Sequence, residues 1–82
     1  MATRVDYERA CNILARVGAD TCPNFFCLTF EAQLHLADIG RENGYRKPHN
    51  ASGSYGRCFY AYLCRIVERE RRERLERRER AA

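Results

Sequence analysis

The sequence has almost no lysine. Lys47 stands alone, and the other fourteen of its fifteen basic residues are arginine. A flat, five-donor guanidinium suits bidentate contact with phosphate or carboxylate, so this bias fits a polyanion or an acidic protein partner; a GC-rich genome's codons produce the same bias. No apolar run approaches the roughly 18 residues of a spanning helix, which argues against a membrane protein. The Met-Ala-Thr-Arg-Val-Asp start has no hydrophobic signal region, and the chain is expected in the cytoplasm. GxxxxGK[ST], HExxH and GxSxG are all missing, which removes the commonest nucleotide-hydrolysing, zinc-peptidase and serine-esterase readings. The one local histidine–serine combination, His49 beside Ser52 or Ser54, sits among turn residues with no orienting acid. The chain is therefore expected not to be an enzyme, and to need no cofactor and no small-molecule substrate.

What is present fits one small domain. There are 82 residues with a formal charge of +4, and the core is near the lower limit for independent stability once a charged tail is set aside. Five cysteines are many for this length, but the count is odd, and in a reducing compartment the default is a buried thiol. Cys22 and Cys27 flank Pro-Asn-Phe-Phe at a spacing able to bite a tetrahedral ion, with Cys58 and His49 as further donors. The second half of such a site is poor, because Cys58 and Cys64 lie six apart on a helix and His35 and His49 form no pair. No metal is expected.

The periodicity predicts an all-α fold of three helices. Thr3 is the expected cap of the first, with Asp6 as the following acid; Tyr7, Ala10, Cys11, Leu14 and Val17 form its apolar stripe and Gly18 its stop. Phe25 and Phe26, in a loop broken by Pro23 and Asn24, are expected to anchor in the core. Thr29 caps the second helix, whose inward face is read as Phe30, Leu34, Ala37 and either Leu36 or Ile39, ending at Asn43-Gly44. Ser52 or Ser54 caps the third and longest helix. Its Tyr55, Cys58, Phe59, Tyr62, Leu63, Ile66 and Val67 give the clearest helical repeat in the chain. Residues 1–67 are thus read as the three-helix domain and 68–82 as a charged, solvent-exposed helical extension. Glu68/Arg72, Glu70/Arg74, Glu73/Arg77 and Glu76/Arg80 can support that extension as i,i+4 pairs, and Leu75 alone cannot form a coiled-coil seam.

Function is sought in residues 44–67. Arg46, Lys47, His49, Asn50, Ser52, Ser54 and Arg57 gather at or just before a helix start, where N–H groups and the helix dipole favour an anion. Tyr60, expected off the apolar stripe, can stack on a base. The second and third helices resemble a helix-turn-helix joined by an unusually long turn. The first expectation is therefore nucleic-acid binding through the basic loop and the helix N-terminus. A plainer reading of the same residues makes the aromatic stripe core and the serines a cap, leaving a protein-binding surface elsewhere.

The segment Gly-Tyr-Arg-Lys-Pro-His-Asn-Ala-Ser-Gly-Ser, followed by an aromatic helix, resembles a pattern in small proteins encoded by bacteriophages and prophages. It covers about a quarter of the chain; the Arg/Glu tail, Cys22 and Cys27 fall outside the pattern. The resemblance implies an accessory protein acting inside an infected bacterium, in the host cytoplasm. The alternative expectation to nucleic-acid binding is a phage-encoded protein that inhibits or redirects a host protein, such as a defence or transcription component, by direct contact. It implies no catalytic residue. Monomer and homodimer are equally open.

Overall fold

Three α-helices and one short turn of 3-10 helix make up the structure, a computed structural model describing residues 5–19 and 24–81. Helix α1 spans Tyr7–Arg16, α2 Phe30–Glu42 and α3 Tyr55–Ala81, with the 3-10 turn at Phe25–Cys27. No strand occurs among the described residues.

Each helix begins at an oxygen able to accept from a free N–H. For α1 this is the Asp6 carboxylate, which accepts from the Arg9 N–H at 2.8 Å. The cap is thus Asp6, and Thr3, the expected one, lies outside the described residues. Thr29 Oγ1 accepts from the Ala32 N–H at 3.1 Å, and Ser54 Oγ from that of Arg57 at 3.3 Å. Ser54 is therefore the α3 cap, while the Ser52 carbonyl accepts from the Cys58 thiol at 3.6 Å. At the end of α2 the Asn43 amide donates to the Ile39 carbonyl at 2.7 Å, Gly44 turns left-handed at φ 73°, and the Tyr45 N–H closes on Gly40 O at 2.9 Å.

Helix α3 is the central element and packs against both α1 and α2. The largest fully enclosed side chains are Phe59 and Leu63 of α3 and Leu36 of α2, and Cys58 and Val67 extend the buried strip along α3. Ala10, Ile13 and Val17 come in from α1, and Leu28 and Phe25 from the segment before α2. The expected inward face of α2 holds at Ala37 and at Leu36 and Ile39, which stood as alternatives, and is wrong at Phe30 and Leu34. Phe30 is 72% and Leu34 54% exposed, whereas both Leu36 and Ile39 are buried. Leu34 and Leu36 lie roughly 200° apart around a helix, so burying one turns the other to solvent. The decision falls to small residues on the Leu36 side.

Two glycines stand at the crossing, Gly40 on α2 and Gly56 on α3. A Cβ on Gly40 would stand 2.9 Å from Tyr55 Cε1 and 3.1 Å from Phe59 Cγ; one on Gly56 would meet the Gln33 carbonyl oxygen at 3.1 Å. The helices approach closely because neither glycine has a side chain there. Gly40→Ala is expected to destabilise the domain by up to about 2 kcal/mol: overpacking costs about 1–3 kcal/mol, and alanine's ~1 kcal/mol helix-propensity advantage offsets only part of it. A thermal melt checks this, and a higher melting temperature would show a slack contact.

Beside this crossing the Tyr45 ring lies 5.2 Å from both Phe59 and Tyr62 and 5.5 Å from Tyr55, centroid to centroid. The Tyr55 hydroxyl donates to the Tyr45 carbonyl at 2.6 Å. Burial raises the pKa of both phenols, most directly by stripping water from the phenolate; Arg41, 5.3 Å from the Tyr55 ring centroid, partly opposes this at Tyr55. The folded state then holds these protons more tightly than the unfolded chain. Their contribution is complete below about pH 10, the ordinary tyrosine range, and is lost as pH rises through the raised values. Melting temperature is thus expected to fall on the alkaline side, and less steeply in Tyr55→Phe, when followed by circular dichroism from about pH 8 to about pH 12. Equal slopes would contradict this.

Helix α3 continues without a break into the arginine–glutamate segment. Its first turns lie along α1: Arg74 covers the Tyr7 ring at 4.4 Å and Glu70 is half-buried. Glu70 pairs with Arg74 at 3.2 Å as expected, and also with Arg77 at 3.5 Å, while Glu73 pairs with Arg69 at 3.4 Å. Exposed pairs of this kind add little stability. Residues 71–81 are exposed throughout, Leu75 included.

Candidate nucleic-acid interface

The connection between α2 and α3 is held down from inside. Tyr45 is buried, the Ala51 N–H donates to Pro48 O at 3.1 Å, and the Cys58 thiol reaches Ser52 O. This leaves Arg46, Lys47, His49, Asn50, Ser52 and Ser54 exposed along one loop, with Arg57 exposed at the start of α3. The Ser54 hydroxyl is occupied as the cap. Gly56, in the first turn, is buried against α2, so the helix start is open only on its Arg57 side.

Arg57 and Arg65 are two helical steps of four apart with Ala61 between them, which places all three on one exposed strip of α3. The two arginine backbones are about 12 Å apart along the axis. Between this strip and the loop residues Pro48, Ala51 and Ser52 runs a shallow cleft of about 260 Å³. Its walls carry two guanidinium groups and no carboxylate. The charge pattern extends further, since residues 43–67 contain no Asp or Glu while Arg46, Lys47, Arg57 and Arg65 are all exposed.

Arg57 is positioned from two sides. Its side chain lies across Gly53, where a Cβ would stand 3.2 Å from Arg57 Cδ and where φ is 98°. Beyond that, its guanidinium carbon sits 5.0 Å from the Phe26 ring centroid, a cation–π contact. Phe26 is 67% exposed and so is not the expected core anchor; Phe25 fills that place, its ring edge-on to Phe26 at 5.7 Å. A three-residue turn points successive side chains apart, and only one of two adjacent phenylalanines can face inward.

Tyr60 exchanges places with Phe26. Expected on the outer face, it is half-buried, with its ring 5.8 Å from Phe25 and its side chain hydrogen-bonded to the Cys64 thiol. Burial pushes the Cys64 thiol pKa up, the Tyr60 hydrogen bond works against that rise, and nearby Glu68 adds to it. Around these residues lies a second hollow of about 510 Å³, bordered by Asn24, Phe26, Arg57, Tyr60, Ala61 and Glu68. Arg57 and Ala61 are walls of both hollows.

No protein-family model, curated protein or solved structure matches the chain. Its chemistry is therefore read from its own residues.

For a metal the arrangement offers little. Cys22 lies outside the described residues, Cys27 is exposed on the 3-10 turn and not buried, Cys58 is buried, and Cys11 and Cys64 are half-buried. Among the described residues no three His, Cys, Asp or Glu side chains converge. No helix among them is long and apolar enough to cross a membrane.

Of the residues singled out from sequence, Arg57 and Ser52 line the cleft, while Arg46, Lys47, His49 and Asn50 stand on the exposed loop beside it. Arg65, Ala61 and Phe26 complete the surface. The signal for Arg65 was in the sequence, as the i,i+8 spacing from Arg57 and the acid-free run around both. Nothing local marked Phe26 over Phe25.

Proposed function

We propose that this protein is a non-enzymatic nucleic-acid-binding module whose backbone contacts are made by the loop before α3 and by the Arg57–Ala61–Arg65 strip. The observation that carries this reading is the acid-free cleft between the loop and α3. Arg57 and Arg65 line a cleft with no carboxylate in its walls, and Arg46 and Lys47 are exposed on the loop whose Pro48, Ala51 and Ser52 form its other wall. Small Ala61 lets a backbone approach α3 between two guanidinium groups, each shaped for a phosphate. The exposed hydroxyl of Ser52 and the amide of Asn50 supply neutral donors nearby. The Arg/Glu tail contributes less, because its glutamates repel the same backbone.

The test is binding of generic oligonucleotides over a salt series. Affinity is expected to fall steeply with salt, by about 0.7–0.9 in log K per log salt for each phosphate neutralised. Absence of binding at low salt, where this electrostatic contribution is largest, overturns the reading.

A second reading has its own observation. Phe30 and Leu34 lie one turn apart on the outer face of α2, and both are largely exposed. Such a face suits a phage-type accessory protein that grips a host protein by apolar contact. A single stoichiometric partner captured from nuclease-treated bacterial lysate, and lost in Leu34→Asp, would favour it.

A further inference from the structure

The two hollows that share Arg57 differ in charge, and the difference sorts the parts of a nucleotide. On the loop side the walls hold Arg57 and Arg65 and no acid. On the other side the hollow is about twice as large, is bordered by the exposed Phe26 ring, and has Asn24 and the carboxylate of Glu68 in its walls. A phosphate is repelled by Glu68 and held by the arginines. An uncharged base can take the reverse position.

We propose that the hollow bordered by Phe26, Tyr60 and Glu68 is a base-binding pocket, and hence that the ligand of this surface is single-stranded nucleic acid. The inference rests on the nucleic-acid reading above and narrows it. Phe26 is held ready for stacking: the Asn24 side chain accepts from its N–H at 2.7 Å, Phe25 packs edge-on to its ring, Arg57 lies over one face, and the residue is still 67% exposed. Arg57 therefore borders both subsites, its guanidinium carbon over the Phe26 ring and its side chain in the wall of the basic cleft. A base can enter only when splayed out of its stack, which single strands permit and duplexes resist. Glu68 accepts hydrogen bonds but donates none, so it favours bases with an exocyclic amino group, cytosine, adenine or guanine, over uracil or thymine, whose one edge donor, N3–H, is flanked by two carbonyl oxygens that repel the carboxylate.

Fluorescence anisotropy with labelled single-stranded oligo-C, oligo-A and oligo-U, and with a duplex of equal length, tests this. The wild-type chain is expected to bind the single strands more tightly than the duplex, and oligo-C and oligo-A more tightly than oligo-U. Phe26→Ala should weaken single-strand binding about 5-fold or more, the loss of one stacked base, with the salt slope unchanged because no ionic contact is removed. Glu68→Gln should abolish the preference over oligo-U. Phe26 is exposed, so Phe26→Ala is expected to melt like the parent, and Phe26→Tyr should retain binding. Duplex binding as tight as single-strand binding, or an unaffected Phe26→Ala, overturns the pocket and leaves the basic cleft standing. Failure of every oligonucleotide to bind overturns both.

Discussion

Phe59→Ala is expected to remove about 3–5 kcal/mol of stability, the usual cost of truncating an enclosed aromatic to alanine. Phe59 has no exposed surface, its ring is 5.2 Å from Tyr45 and 6.3 Å from Tyr62, and it closes over Gly40 of α2. It is the point at which α2, α3 and the loop meet, so no neighbour can collapse into the space without releasing another contact. Native domains hold only about 5–15 kcal/mol in total, and this core is small. The variant should melt at least roughly 12 °C lower than the parent, or lose its cooperative transition. Phe59→Leu, which keeps most of the volume, should cost distinctly less. A melting temperature for Phe59→Ala within about 4 °C of the parent would mean that Phe59 is not the centre of the core.

Paired removal of Arg57 and Arg65 should have the largest effect on binding. With each neutralised phosphate contributing about 0.7–0.9 to the salt slope, each arginine is worth on the order of tenfold in affinity near 50 mM salt. Arg57→Gln with Arg65→Gln is thus expected to weaken binding roughly 100-fold and to flatten the slope by about 1.4–1.8. Both side chains are exposed, so the melting temperature should move little. The matched control is Arg77→Gln with Arg78→Gln, which removes the same charge from the exposed tail. A much smaller loss is expected there. Equal losses from both pairs would show that only net charge matters and that the cleft is no site.

How far the molecule could be read in advance differs from helix to helix. On α3 the apolar spacing is unambiguous: Cys58, Phe59, Leu63 and Val67 are buried, and Tyr55, Tyr62 and Ile66 pack beside them. Thr29, Asn43 and Gly44 mark the ends of α2 because caps are local chemistry, decided within four residues. The face of α2 was not legible. Phe30 and Leu34 look more hydrophobic than Ala32, Ala37 and Gly40, yet the smaller set faces inward, because small side chains let α2 come close enough for Phe59 to fill the space over Gly40. Hydrophobicity ranks residues one at a time, whereas packing depends on what the opposing helix presents.

The same distinction runs through the candidate site. The sequence by itself determined an all-α chain, the long third helix, and the cationic run at its start, since periodicity, capping and charge are properties of neighbours along the chain. Only the tertiary structure decided that Phe26 and not Tyr60 is the open aromatic, that Arg65 joins Arg57 across Ala61, and that the loop and α3 enclose a cleft without a carboxylate. Those relations are set by which side of each element meets the core, and that is fixed by the fit of side chains from distant parts of the chain.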